Sequence, residues 1–323
     1  MAEKKMVDVF SDVDRDTAMT ANPAGFAVTE LGAEDERIVT LAADMSNTVA
    51  EFIAKFPERY IECGIAETNS VSLAAGLASA GLIPYVYSMA PFGMLKVAEQ
   101  WRSDEDYNHL PVRLVGRLSG LAMGYFGTSH YAVEDIAIAR TMNNTVVLSP
   151  GDAASCVALM RATAGLEGPV YIRIAEGVGK VYDQAPEYEH GKWPRLRSGG
   201  DVTLIGHGMG VGLAAAAAEF LFSRDSVEAD VFDAAYLRPF DETALLASAE
   251  KTGRVLTIEE HSVVGGLGTI VAETIARAGL SVKLDQVALP DQDLEVGVPA
   301  ELYEYYGLTP AHVAKKALNL ARR

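Results

Sequence analysis

A chain of 323 residues with 49% hydrophobic side chains is long enough for two α/β domains with separate buried cores. Its formal charge of -17, from 27 basic against 44 acidic residues, leaves no basic stripe for a phosphate backbone and speaks against nucleic acid as a partner. Cys63 and Cys156 lie far apart without metal-ligand spacing, and the chain does not open on a charged-then-apolar leader, which points to a reducing cytoplasm.

In chain order, the first 25 residues are polar and irregular and read as an arm or a partner contact. Short β-branched runs at 38–41, 83–87, 112–115, 145–148 and 170–174 then alternate with helical periods at 67–80, 132–142 and 153–164. Strands separated by helices predict a parallel sheet. The uncharged stretch 68–95 is long enough to span a bilayer, but its glycines, serines and Pro84 divide it into a small-residue helix, a turn at Gly81 and a strand. A buried helix and strand are expected there, with no membrane contact. From 176 to 200 the pattern dissolves into Gly, Pro, Lys, Tyr and His, as a linker does. A second unit follows, with strands at 202–205, 231–233, 255–258 and 282–287, helices at 211–222, 243–251 and 267–278, and a closing helix at 311–321. The expected architecture is α/β with two open parallel-sheet domains, 1–177 and 201–323, joined by a linker at 178–200.

Four residues of the first unit stand out. Cys63-Gly64-Ile65-Ala66-Glu67 sets a carboxylate at the start of a helix of small and apolar residues, which suits proton transfer and equally suits an ordinary first-turn acid facing the helix dipole. Asp44 follows a strand, at the edge where open α/β sheets place ligands, or is a turn residue. Phe92 follows a buried strand, as core aromatics do, and His130 lies in a Gly-rich loop before a helix, where a histidine often serves as a cap.

These segments resemble the C-terminal half of transketolase, and more closely the separate small subunit of transketolases split into two chains. Ala43-Asp44-Met45-Ser46-Asn47 is similar to the family's Ala-Asp-Leu segment, and Glu62-Cys63-Gly64-Ile65-Ala66-Glu67-Thr68-Asn69 to its Asn-x-Gly-Ile-x-Glu motif. Ala90-Pro91-Phe92 falls where the family places an aromatic, and Gly127-Thr128-Ser129-His130 resembles Gly-Pro-Thr-His. Leu237-Arg238-Pro239-Phe240-Asp241 and the run from Glu259 to Gly268 resemble the family's C-terminal domain. The resemblance implies a thiamine-diphosphate pyrimidine-binding domain followed by a transketolase C-terminal-like domain. It also implies that Glu67 donates a hydrogen bond to N1′ of the cofactor's aminopyrimidine, favouring the imino tautomer that deprotonates C2 of the thiazolium. Proton transfer of this kind contributes about 10²- to 10⁴-fold. By the same resemblance Phe92 stacks on the pyrimidine, Asp44 lies near the cofactor, and His130 contacts substrate as an acid or hydrogen-bond donor. His207 is taken as structural and His261 as an interface or C-terminal-domain residue.

The superfamily holds the diphosphate through Mg²⁺ with a Gly-Asp-Gly stretch and a following Asn. No Gly-Asp-Gly occurs here, and Gly151-Asp152-Ala153 is the nearest fragment. The resemblance therefore implies a larger partner subunit that carries the metal ligands, in an α2β2 assembly. It would transfer a two-carbon ketol unit from a ketose donor to an aldehyde-type acceptor. Registered on His130, the family's second active-site histidine falls on Leu118 and its hydroxyl-reading aspartate on Phe126, while an arginine directed at the sugar phosphate falls on Glu176. Losing one charge-assisted bond to phosphate costs about 1.5 to 3 kcal/mol, so an unphosphorylated or differently substituted sugar is expected. Two other readings share the plan: the β subunit of a 2-oxo-acid dehydrogenase, and a noncatalytic scaffold subunit, against which the presence of Glu67 and Phe92 speaks.

Overall fold

The computed structural model describes Met19 and residues 21–322. Most of the expected N-terminal arm, residues 1–18, lies outside them. By Pro23 the chain is already helical: α1 (Pro23–Glu34) starts on Asn22, whose side chain accepts the Gly25 N–H at 3.3 Å, with proline at the first position where its missing donor costs nothing.

The first sheet has seven strands: β1 (Ile38–Ala42), β2 (Tyr60–Glu62), β3 (Ile83–Met89), β4 (Arg113–Arg117), β5 (Val146–Leu148), β6 (Val170–Arg173) and, from much later in the chain, β10 (Tyr236–Arg238). Their order is β10-β5-β6-β4-β3-β1-β2, parallel except for β10, which runs antiparallel along β5. Every residue of β1, β4 and β6 is buried, as expected of strands covered by helices on both faces. The covering helices include α2 (Ala50–Lys55), α3 (Glu67–Ser79), α4 (Asp135–Ala139) and α5 (Ala153–Thr163). Between β3 and β4 the chain makes wide π-type turns over Pro91–Leu95 and Trp101–Asp106, closed by the bonds Lys96 N to Pro91 O (3.3 Å) and Tyr107 N to Arg102 O (3.0 Å). Such turns often accompany functional sites.

The second sheet contains β7 (Arg195–Arg197), β8 (Val202–Gly206), β9 (Ala229–Asp233), β11 (Arg254–Ser262) and β12 (Lys283–Leu289), in the order β12-β11-β8-β9-β7, with only β7 antiparallel. Helices α6 (Met209–Asp225), α7 (Glu242–Thr252), α8 (Leu267–Arg277), α9 (Pro299–Tyr305) and α10 (Pro310–Ala321) complete it. Two parallel-dominated α/β sheets are thus present, each finished by one antiparallel edge strand.

Three local expectations change. The helix predicted over 132–142 shortens to α4 because Ala132 instead exchanges backbone hydrogen bonds with Gly120. The stretch read as a linker carries β7 and is tied down: Asp152 Oδ2 accepts the Val181 and Tyr182 amides, both at 2.9 Å, and Asp233 Oδ2 accepts the Tyr182 hydroxyl at 2.7 Å and the Tyr188 hydroxyl at 3.3 Å. Tyr236 to Arg238, expected only as part of the second unit, crosses to the edge of the first sheet.

Burial raises the Asp233 carboxyl to about 7, against the hydrogen bonds from Tyr182 and Tyr188. The folded protein therefore holds this proton after the unfolded chain has released it. Its contribution to stability is complete below the ordinary aspartate range near 4 and is lost as pH rises toward 7. Asp233→Asn is expected to flatten the fall in stability over that window, as read by denaturant unfolding at several pH values; a variant with the wild-type slope would contradict this.

Candidate active site

The strand order brings the carboxyl ends of β2, β1, β3, β4 and β6 side by side along one edge of the first sheet, at the usual spacing of about 4.8 Å per strand. After β2, Gly64 turns the chain with φ 61° and Glu67 opens α3. Glu67 is 4% exposed, and its Oε2 accepts a hydrogen bond from Lys96 Nζ at 2.6 Å. The lysine side chain is half exposed, so this ion pair joins a buried acid to a cation that can move into solvent.

Lys96 also lies 6.0 Å from the centre of the Phe92 ring. That ring meets the His130 imidazole edge-on at 5.2 Å, and His130 is stacked on Phe126 at 4.7 Å, with its Nδ1 2.9 Å from Ser129 Oγ. Glu67, Phe92 and His130, which follow three different strands, are therefore brought together, with Lys96 between the first two. Asp44 occupies the end of β1 in left-handed backbone, φ 55°, exposed to solvent; among the described residues no hydrogen bond joins it to the other three. Glu62, one strand over, accepts the Tyr60 hydroxyl and the Gly64 amide, the former bond chiefly holding its carboxyl below the usual range.

Further along the edge, Arg117 at the end of β4 donates to Glu176 Oε1 through Nε (3.1 Å) and Nη2 (2.7 Å). Glu176 is thus neutralised within the chain. Leu118, next to Arg117, has φ 56°, and Phe126 is exposed. His207 and His261 are buried where the two sheets meet; burial pushes His207 down to about 3, so it is neutral, with Nδ1 on Ser149 Oγ just past β5, while His261 Nε2 accepts the Ala137 amide where α4 meets β11. Sequence reasoning overlooked Lys96 and Arg117. One signal was available for Lys96, the first charge after the uncharged stretch 68–95 and four residues past Phe92.

The arrangement suits the pyrimidine end of a cofactor, with a buried carboxylate after β2 and an aromatic ring after β3, the strands on either side of β1. Among the described residues no group of three or more His, Cys, Asp or Glu is placed to hold a metal ion. Asp152, in the nearest sequence fragment, commits its carboxylate to the α5 N-cap, accepting Ser155 N at 2.8 Å, and to the two amides at 181 and 182.

Fold and site together define the pyrimidine-binding half of a two-part active site, followed by a second α/β domain. Residues 16–179 match the family model of the transketolase pyrimidine binding domain, and residues 191–313 that of the transketolase C-terminal domain. The chain belongs to the transketolase family, whose members are thiamine-diphosphate-dependent transferases. It is 36% identical over 297 residues to the 6-deoxy-6-sulfo-D-fructose transketolase subunit SqwH of Clostridium sp. (strain MSTE9), covering 91% of this chain and 92% of that protein. It is 33% identical over 298 residues to a subunit of the apulose-4-phosphate transketolase of Phocaeicola vulgatus, covering 91% and 95%. Among solved structures it matches a split-gene transketolase, described as an inactive β4 tetramer, with a TM-score of 0.86 and 38% identity over 94% of this chain and 99% of that one. These relatives do not favour the 2-oxo-acid dehydrogenase reading. No helix among the described residues is long and apolar enough to cross a membrane.

If Asp152 is a cap and not a metal ligand, Asp152→Ala should lower stability by roughly 1 to 3 kcal/mol. Mg²⁺ affinity of the enzyme reconstituted with its large subunit should stay unchanged in a calorimetric titration. A selective loss of Mg²⁺ affinity would place the metal on this chain.

Proposed function

We propose that this chain is the pyrimidine-binding subunit of a cytoplasmic two-chain transketolase, moving a two-carbon ketol unit from a ketose donor to an aldehyde-type acceptor. A larger subunit holds thiamine diphosphate through Mg²⁺ in an α2β2 assembly. The observation that carries this reading is the buried Glu67 carboxylate at the start of α3, linked through Lys96 to Phe92. The proposed functional division is a pyrimidine-binding unit at 1–177, a connector at 178–200 and a C-terminal unit at 201–323.

When bound, the thiazolium carbon of the cofactor supplies the nucleophile for carbon–carbon bond cleavage and formation. Glu67 holds the proton at N1′ of the aminopyrimidine, and for this Lys96 must give up its 2.6 Å contact. The lysine side chain is half exposed but that of Glu67 is 5% exposed, so releasing Lys96 leaves a buried carboxylate that the aminopyrimidine must repartner. Phe92 offers a ring face to the pyrimidine, Asp44 borders the cofactor from the end of β1, and His130 donates to a substrate oxygen through Nε2 while Ser129 engages Nδ1. Exposed apolar groups at Ile65, Leu95, Tyr125 and Phe126 suit contact with the larger subunit.

Both named relatives act, by their descriptions, on unusual sugars: a sulfofructose in one, apulose 4-phosphate in the other. Here the Arg117–Glu176 pair presents no free cation where other transketolases direct an arginine at phosphate, which supports a sugar without phosphate at that end. The reconstituted enzyme is expected to prefer unphosphorylated ketoses over xylulose 5-phosphate in steady-state assays. Glu67→Gln should lose turnover by at least about 10²-fold while its circular dichroism stays unchanged. Strong preference for the phosphate ester would overturn the substrate assignment, and a Glu67→Gln enzyme with most of its turnover would overturn the catalytic one.

A further inference from the structure

The loop 118–131 between β4 and α4 carries Leu118, Phe126 and His130, yet much of what holds it comes from the other domain. At its base Gly120 and Ala132 exchange backbone hydrogen bonds of 3.0 and 3.1 Å. Glu260, near the end of β11 and 1% exposed, reaches across to this base. Its Oε1 accepts the Leu121 amide at 3.0 Å and the hydroxyl of Tyr303 from α9. Gly120 has φ 61°, and a Cβ there would stand 1.8 Å from Glu260 Cδ, so both the turn and the room for the carboxyl require glycine. Further along, Gly124 O accepts the Gly297 amide at 3.1 Å. The Tyr131 hydroxyl lies 2.6 Å from Glu295 O and 3.1 Å from Gly124 O.

The same glutamate is fixed from behind. Its backbone carbonyl accepts from Arg173 Nη2 at 2.7 Å, and Arg173 Nη2 also reaches Ala132 O at 3.1 Å while its Nε binds Asp135 at 3.0 Å. Both the entry to the loop at 120–121 and its exit at 132–135 are thereby referenced to one buried cluster. Glu260 Oε2 accepts no hydrogen bond and faces Arg173 Nη1 at 4.0 Å, so the carboxyl is held by Oε1 and by this ion pair; a buried charged group so held fixes geometry more than it adds stability.

We propose that Glu260 is a positioning residue: it acts through the Leu121 amide to set the loop that carries His130, so that the C-terminal domain shapes the substrate side of the active site. This rests on the transketolase reading only for its kinetic consequence; the effect on loop order does not. The groups facing the Glu260 carboxyl are Arg173 from β6, Asp135 from α4 and Tyr303 from α9, and burial raises it to about 7 against the pull of Arg173 and the Tyr303 hydroxyl. Either protonation state keeps Oε1 as an acceptor, which makes glutamine the conservative replacement.

The test compares Glu260→Ala, Glu260→Gln and Tyr303→Phe by amide hydrogen exchange on the full chain and by kinetics on the enzyme reconstituted with its large subunit. In Glu260→Ala, exchange over residues 119–131 should quicken about tenfold or more, while that of the α3 amides stays within about twofold. The reconstituted enzyme should lose about tenfold or more in kcat with its thiamine diphosphate affinity within about twofold of wild type. Glu260→Gln should return both to within about threefold, and Tyr303→Phe should quicken loop exchange to a lesser degree. Unchanged loop exchange in Glu260→Ala would overturn the proposal, as would a glutamine variant as impaired as alanine. Should Glu260→Ala not fold, Tyr303→Phe decides alone, and wild-type exchange at 119–131 in that variant overturns it. Quickened exchange without any measurable transketolase turnover in the wild type would leave the bracing intact and remove the functional reading instead.

Discussion

The guanidinium of Arg173 is the constraint on which the rest of the structure depends. It is completely buried at the end of β6, and a charge so placed must be paired and hydrogen-bonded or it would cost several kcal/mol. Asp135 at the start of α4 supplies the counter-charge, and carbonyls of Ala132 and Glu260 accept from Nη2. Because Asp135 belongs to the first sheet's helices and Glu260 to the second sheet's β11, satisfying one side chain fixes how the two sheets meet. Asp135 in turn accepts the Tyr171 hydroxyl at 2.7 Å, which extends the cluster into the middle of the first sheet.

That junction determines what the carboxyl edge of the first sheet can present. Glu67, Phe92 and His130 follow β2, β3 and β4, and the loop that carries the third is held in part by the second domain. The two domains thus divide the edge: the first carries Glu67 and Phe92, and the second holds the loop that carries His130. The aspartate of the Gly151-Asp152-Ala153 fragment caps α5 and ties down the connector, so its carboxylate is already engaged.

Much of this was legible in the sequence where burial is continuous. The runs at 83–87, 170–174, 202–205 and 255–258 became strands because residues covered on both faces must be apolar and β-branched along most of their length. The segment around Glu67 was legible as a motif. Helix α1 was not, since its Gly, Ala and Thr mixture gives no sharp amphipathic period and its start is signalled only by Asn22 and Pro23. Strand β10 was not, because three residues pairing with a strand nearly ninety positions earlier leave no local trace. The contacts that define the site's electrostatics were equally hidden: Lys96 meets Glu67 across 29 positions and Arg117 meets Glu176 across 59, and neither spacing has a period. An acid that reads in one dimension as a lost bond to phosphate becomes, in three, half of an ion pair with Arg117.

The central claim is that this chain holds half of a cofactor site and completes it only with its larger subunit. Isothermal titration of thiamine diphosphate with Mg²⁺ into the chain alone, into the large subunit alone and into their mixture tests it most directly, with Glu67→Ala as the control. The account predicts no saturable binding by this chain alone, tight binding by the mixture, and weakened binding by the mixture carrying Glu67→Ala. Tight Mg²⁺-dependent binding by the isolated chain would contradict it.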